Sequence, residues 1–555
     1  MGKISRKVKA KVAKIRHETS KATATSPPER RMSWWKQARA KWLSFLRRLV
    51  DLLSGILFRA TYAIKGRTAM PPIKNLLLLE PATSIAAKIR SRKLTSEEVV
   101  KAFINRIEEI NPVLNCVVDH RFEEALEEAR AVDRMLATTK KTPEEILKET
   151  PFLGVPFSTK DAIMVEGMSF TAGLHCRKHI RGSEDAETVA RLRKAGAIPL
   201  AITNTSEVCM WWESHNRVHG RTNNPYDTSR IVGGSSGGEA CIQAAAGTPM
   251  GLGSDIGGSI RMPCFFNGIF GHKPTRGTIS NHGEWPVASE THETYLGTGP
   301  MCKFATDLLP MVKVLAHRDL QLDRKVELRR LRIYYMEDDG GNPHVSPVDA
   351  EIKQSMRKVL DYLAQAHGLK PTKIDLPRLR RAVSIWLAKM NIVGTPDFCQ
   401  QLANCEGSIN LGWELMKWTV GQSNHTFIAL MTALTEKMGV QPGTPGYDRL
   451  FSMCQELHDE MQALLGEEGV FFYPTHPTPA PYHNEPVLRP FNFSYTAIIN
   501  VLGFPATAIP LGLSSNGLPI GLQVVGGLHQ DRLTLAMAVE LEKAFGGWVP
   551  PKIEV

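Results

Sequence analysis

The chain has 555 residues, 43% of them hydrophobic and 7% aromatic, enough to bury a large core; this excludes collagen-like, disulfide-miniprotein and wholly disordered classes. The net charge of +12 is confined to the first 68 residues, which hold 18 Lys/Arg against 3 Asp/Glu, while the other 487 carry 50 against 53. The body is therefore not a basic nucleic-acid binder, and the arm suits an anionic partner.

Residues 1–33 are a basic arm in which Ile4, Val8, Val12 and Ile15 allow a weak amphipathic helix, with disorder as the alternative. In 34–68, Trp35, Ala38, Trp42, Phe45, Leu49, Leu52, Ile56 and Ala60 recur at helical spacing. Lys36, Lys41, Arg47, Arg48, Asp51 and Arg59 interrupt them, and the longest uncharged stretch, Leu52 to Phe58, is seven residues. A spanning helix needs about 20 apolar residues. The preferred reading is a helix lying in the membrane interface. A tilted span, packing on the body and a targeting peptide stay open.

Pro71-Pro72 closes the arm. Thr95-Ser96-Glu97-Glu98 is a capping-box start, Val99, Val100, Phe103, Ile104, Ile107 and Ile110 form the buried stripe that follows, and Asn111-Pro112 is expected to stop the helix. Residues 119–149 read as surface helices. From 150 onward, short apolar runs such as Phe152–Phe157 and Ala197–Ile202 alternate with Gly-rich turns and a helical Glu187–Ala195. That alternation predicts an α/β fold with a central sheet. Two helical segments are expected in 410–438, separated by Gly421-Gln422-Ser423-Asn424, and paired strands in Phe504–Gln523 around Asn516-Gly517. No internal repeat or linker divides 80–550. Nine scattered cysteines with no CxxC pair argue for free thiols in a reducing, intracellular compartment.

Chemistry concentrates in two Gly/Ser clusters, Gly233-Gly234-Ser235-Ser236-Gly237-Gly238 and Asp255-Ile256-Gly257-Gly258-Ser259-Ile260-Arg261, with Ser158-Thr159-Lys160-Asp161 upstream. A phosphate loop would need GK[ST] after the glycines, where Glu239 stands instead. The first cluster also fits a G-x-S-x-G nucleophile elbow, whose base would come from His476, His483 or His529.

The serine of Asp-Ile-Gly-Gly-Ser-Ile-Arg lies 24 residues after Ser235, and a lysine stands 75 residues before Ser235. With these spacings the chain resembles the amidase signature family. Gly196-Ala197-Ile198 leading to Thr203-Asn204, Gly271–Thr275, Pro490-Phe491-Asn492 and Gly517–Gln523 add to the likeness, which covers roughly 80–550 and is weakest between 303 and 400. Glu207–Trp211 and residues 265–272 are most similar to the membrane-associated type-2 fatty-acid amide hydrolases within that family.

The resemblance implies a large mixed twisted sheet covered by helices on both faces. It also implies a Ser–Ser–Lys triad: Ser259 as nucleophile, Ser235 as bridge through a cis peptide, and Lys160 as base. By the same resemblance the backbone N–H groups of Ile256, Gly257, Gly258 and Ser259 form an oxyanion hole, Asp255, Arg261 and Ser236 support it, and Cys209, Met210 and Trp211 line the acyl site. The implied reaction is cleavage of N-acyl ethanolamines and primary fatty amides through an acyl-enzyme, without cofactor or metal. A homodimer and an intracellular, membrane-associated location follow by the same analogy.

The chemistry is coherent. A lysine is a base only when neutral, and bringing its ordinary value of about 10.4 near 7 takes roughly 4–5 kcal/mol of desolvation and positive surroundings, so the site is expected to be dry. Loss of one oxyanion donor typically costs about 3–4 kcal/mol. Trp413, Met416, Trp418, Phe427, Leu430, Met431 and Leu434 are expected either to line a hydrophobic mouth or to form a plain buried hairpin. Three alternatives stand beside this reading: a small-amide hydrolase of the same family, a component of a glutaminyl-tRNA amidotransferase, and a non-catalytic membrane-tethered scaffold.

Overall fold

The computed structural model describes residues 34–554. The basic tract with Ile4, Val8, Val12 and Ile15 lies outside them.

Helix α1 spans Trp34–Lys65. It is seated on the body by its polar side: Arg489 reaches the Asp51 carboxylate at 3.2 Å and the Asp51 carbonyl at 3.0 Å, Arg47 donates to the Leu488 carbonyl at 2.7 Å, and Tyr62 stacks on Tyr482 at 5.3 Å. The apolar side points away from the body, with Trp42 59% and Phe45 63% exposed and Leu52, Leu53, Ile56 and Leu57 exposed beside them. Among the described residues, no helix is long and apolar enough to cross a membrane.

Helix α2, Ser96–Leu114, opens with the expected capping box, Thr95 and Glu98 each accepting from the other's backbone N–H. It does not stop at Pro112. A proline so near the end removes little of the ladder. The helix runs two residues further, to Leu114, and is capped by Asn115 in the left-handed conformation, while Asn111 Oδ1 accepts from the N–H groups of Cys116 and Val117 at 2.9 and 2.8 Å. Of the segment 119–149, residues 119 and 120 complete a strand, and the rest forms two helices whose buried faces are reduced to Ala125, Ala129, Leu136 and Ile146.

The strands of the main sheet, in chain order, are β1 Val117–His120, β2 Pro156–Lys160, β3 Ile198–Thr203, β4 Met250–Asp255, β5 Phe270–Lys273, β6 Gly297–Cys302, β7 Arg332–Tyr335, β8 Thr372–Lys373, β9 Gly469–Tyr473, β10 Ala506–Leu513 and β11 Pro519–Gly526. Among the described residues these eleven form one sheet in the order β1-β3-β2-β4-β6-β5-β10-β11-β9-β7-β8. Its pairing is mixed. β2 runs parallel to β3 and β4, and β4 to β6, β5 to β10 and β10 to β11 are antiparallel. Every residue of β2, β3, β4 and β6 is buried. Successive side chains of a strand point to opposite faces, so helices and loops cover both. The parallel trio matters for function, because ligands of such sheets bind beyond the carboxyl ends of the strands, here the ends marked by Lys160 and Asp255. The paired strands around Asn516-Gly517 are present as β10 and β11, with Gly517 at φ 72° in the turn.

Candidate active site

Lys160 is the last residue of β2 and is 1% exposed. Its Nζ donates to Ser235 Oγ at 2.7 Å and to Ser254 Oγ at 3.0 Å. Ser235 sits just before helix α3, Gly237–Ala244, and the Gly234–Ser235 peptide bond is cis. Thr205 and Ser214 hydroxyls donate to the Ser235 carbonyl at 2.8 and 3.3 Å and fix the loop. A Cβ on Gly234 would meet the Trp211 carbonyl at 2.3 Å, so the close approach of these segments requires glycine there.

Ser259 follows β4 and precedes helix α4, Arg261–Asn267. Ser236 N–H donates to the Ser259 carbonyl at 3.2 Å, joining the two serine loops, and the Ser236 side chain lies 3.4 Å from the Ser254 backbone. Asp255 braces the second loop. Its carboxylate accepts from Arg261 Nε and Nη2, both at 3.0 Å, from the backbone of Gly258 and Ile260 at 2.7 and 3.1 Å, and from Asn500 at 2.9 Å. Burial alone would push this carboxyl up; Arg261 foremost, with Lys273 and Asn500, holds it at about 2.

One expected oxyanion donor is corrected by this brace. The Gly258 N–H is spent on Asp255 and so does not point into the cavity. Among the described residues, Ile256, Gly257 and Ser259 are the members of the expected set whose N–H groups make no hydrogen bond within the protein. Trp386 Nε1 donates to the Ile256 carbonyl at 2.9 Å and Thr496 Oγ1 to the Gly257 carbonyl at 2.8 Å, so both carbonyls of this stretch of backbone are held by side chains.

Lys160, Ser235, Ser254 and Ser259 line the polar end of one cavity of about 510 Å³. Cys209, Met210 and Trp211 line the same cavity, with Met262 and Trp386. Helix α5, Leu411–Thr419, and helix α6, Phe427–Met438, are the two expected segments. Of the seven residues expected at a mouth, Phe427 and Met431 line the cavity. Leu430 faces an adjoining core, Leu434 packs against that core, and Trp413, Met416 and Trp418 are exposed. Helical geometry separates them, since Phe427 and Met431 share one face and Leu430 and Leu434 the next. Glu207, just before the acyl-lining stretch, accepts from the Thr426 N–H at 2.7 Å and joins that stretch to the start of α6.

The elbow reading finds no base. His476 is buried among Trp212 and Phe266 with Nδ1 2.8 Å from the Thr478 carbonyl, and burial lowers its value to about 3. His483 pairs with Glu213 at 3.0 Å, and the His529 N–H is bonded to Thr275. None of the three contacts Ser235, whose hydroxyl Lys160 occupies. Sequence reasoning missed Ser254, Glu284 and Trp386. Ser254 adjoins the motif and was within reach. Trp386 lies in the stretch of weakest resemblance, with no motif to mark it.

Comparison with known proteins gives a concordant picture. The Amidase family model matches residues 98–535. Fatty-acid amide hydrolase 2 of Homo sapiens is 45% identical over 520 residues, covering 91% of this chain and 97% of that protein. Fatty-acid amide hydrolase 2-B of Danio rerio is 45% identical over 518 residues, covering 91% of this chain and 98% of that one. Among solved structures, a fatty acid amide hydrolase superposes with a TM-score of 0.68 at 23% identity, covering 86% of both chains.

Proposed function

The chain belongs to the amidase signature family of amide hydrolases, and from that premise we propose that it cleaves long-chain acyl amides, N-acyl ethanolamines and primary fatty amides, to fatty acid and amine at a membrane surface. The observation that carries this is the buried Lys160–Ser235 hydrogen bond in the wall of a largely apolar cavity that Met210, Trp211, Met262, Trp386, Phe427 and Met431 also line.

The cycle is acyl transfer. Neutral Lys160 takes a proton from Ser235 as Ser235 takes one from Ser259, and Ser259 Oγ attacks the amide carbonyl carbon. The negative charge that develops on oxygen is met by the N–H groups of Ile256, Gly257 and Ser259, fixed in place before reaction. The relay runs back: Lys160 returns its proton to Ser235, and Ser235 gives one to the amine nitrogen as the C–N bond breaks. Water then adds to the acyl-enzyme, its proton passing to the relay, and the fatty acid leaves as Ser259 recovers its own. Early protonation of a poor leaving group lets amides react as well as esters.

The acyl chain takes the apolar part of the cavity, whose volume falls in the range of sites that enclose whole small-molecule ligands. The membrane supplies it. Val487 of the cavity wall belongs to the short turn Glu485–Leu488 on which α1 is seated, so one turn of backbone joins the seat of the helix to the cavity wall. Such an amphipathic face binds a lipid interface without spanning it.

The test is a panel of acetyl, decanoyl and oleoyl amides. Each buried methylene is worth about 0.8 kcal/mol, so kcat/KM should climb steeply with chain length until the cavity is full. A flat profile, or preference for acetyl amide or glutamine, would replace this reading with the small-amide or amidotransferase alternative.

A further inference from the structure

Two stretches far apart in sequence share the apolar wall of the cavity: residues 208–212, and helix α6 with Phe427 and Met431. The first stretch does not hold its shape by local preference. Val208 and Cys209 stand at φ 54° and 57°, a region that residues with a Cβ seldom enter and a β-branched valine least of all. Such a backbone persists only where its surroundings over-determine it. On one side it is tied to the chemistry, because Thr205 donates to the Ser235 carbonyl at 2.8 Å. On the other side it is tied to α6 by a single buried carboxylate, Glu207.

Each oxygen of that carboxylate has its own partner. Oε1 lies 2.8 Å from His425 Nδ1, and Oε2 accepts from the Thr426 N–H at 2.7 Å. A carboxylate only accepts, so Nδ1 of the buried His425 is the donor. Thr426 caps α6, its side chain accepting from the Ala429 N–H at 3.2 Å. The His425 N–H donates to Ser423 Oγ at 3.1 Å, and Ser423 Oγ donates to Glu414 of α5 at 2.8 Å. Glu207 thus grips the turn from which both helices spring. The far end of α6 has a clamp of its own, where Glu436 accepts from the N–H of the cavity residue Phe398 at 2.7 Å. That leaves the first turns of α6, the ones that carry Phe427 and Met431, to Glu207.

Resting on the fatty-amide reading above, we propose that Glu207 is a positioning residue that sets acyl-chain selectivity: its bonds to His425 and Thr426 hold the start of α6 in register with residues 208–212, and so fix the wall against which a long chain packs. Lys160, Ser235 and Ser259 stand on β2 and on the loops before α3 and α4, so releasing this clamp leaves the relay in place and withdraws contacts from the chain alone.

The test is kcat and KM for acetyl and oleoyl amides in wild type, Glu207→Ala, Glu207→Gln and His425→Phe. Each methylene that loses its packing lowers kcat/KM about fourfold, so release of two should cut the oleoyl-to-acetyl ratio at least about tenfold in Glu207→Ala, mostly through the oleoyl KM. Glu207→Gln should stay near wild type, because its amide oxygen can still accept from Thr426 and its NH2 can donate to His425 Nδ1 in the other tautomer. His425→Phe removes one of the two bonds, should lower the ratio by a smaller factor, and serves alone if Glu207→Ala does not fold. Loss of both activities in parallel, an unchanged ratio, or a Glu207→Gln variant as impaired as Glu207→Ala overturns the proposal. A wild type that prefers the acetyl amide fails the fatty-amide reading itself, whereas a steep wild-type preference that these variants leave intact fails this proposal alone.

Discussion

Arg261 shows how one side chain can hold a loop from which the chemistry hangs. Its guanidinium donates to both oxygens of Asp255, to Gln523 at 2.8 Å, to the Thr496 carbonyl at 3.0 Å and to Asn500 at 2.6 Å, with no exposure to solvent. Removing one partner of such a pair strands the other charge, at about 3–5 kcal/mol. Arg261→Met should therefore lower stability by that order in urea unfolding. Because Arg261 outweighs burial and keeps Asp255 far below its unfolded value, the pair stabilises fully above pH 4 and loses that contribution as pH falls toward about 2. The gap between wild type and Arg261→Met should then narrow as pH falls below 4; a gap that stays constant from pH 7 to pH 3 contradicts the assignment. The residues of this loop were legible because glycines, serines and a bracketing Asp and Arg occur at a spacing that few other chemistries need. Glu284 was not legible. Nothing near it in sequence marks a site, and its place in the cavity wall depends on the segment between β5 and β6, which returns beside Lys160 more than a hundred residues later.

Among elements, α1 was the most readable and the least decided. Its three-to-four-residue apolar spacing named a helix, but spacing could not say which side the body takes. The structure gives the polar side, Asp51, Ser54 and Tyr62, to the body and leaves the apolar side outward. The consequence is a separable surface. Phe45→Ser with Leu53→Ser alters the outward face and leaves the Asp51–Arg489 contact intact. This variant should bind anionic phospholipid vesicles at least about tenfold more weakly in flotation, since each apolar side chain withdrawn from lipid forfeits about 1.5–3 kcal/mol. Hydrolysis of a soluble short-chain amide should be unchanged. Equal flotation of variant and wild type would assign lipid binding to another part of the chain. Pro112 teaches the converse lesson: a stop signal acts on backbone geometry, and one placed in the last turn has little ladder left to break.

For the whole molecule, composition carried less information than its distribution. Charge summed over the chain suggested a basic protein; separated, it showed a nearly neutral body behind a basic arm. The α/β class was legible from alternating runs, yet strand order was not, because β1 pairs with β3 and β6 sits between β4 and β5. That order is what brings the buried Lys160, Ser235, Ser254 and Ser259 together in the wall of one largely apolar cavity. The most direct test of that assembly is to map the adduct of a long-chain fluorophosphonate by peptide mass spectrometry. A single modification on Ser259, absent in Ser259→Ala and formed far more slowly in Lys160→Ala, is the expected result. An adduct on Ser235, or no adduct at all, would contradict the account.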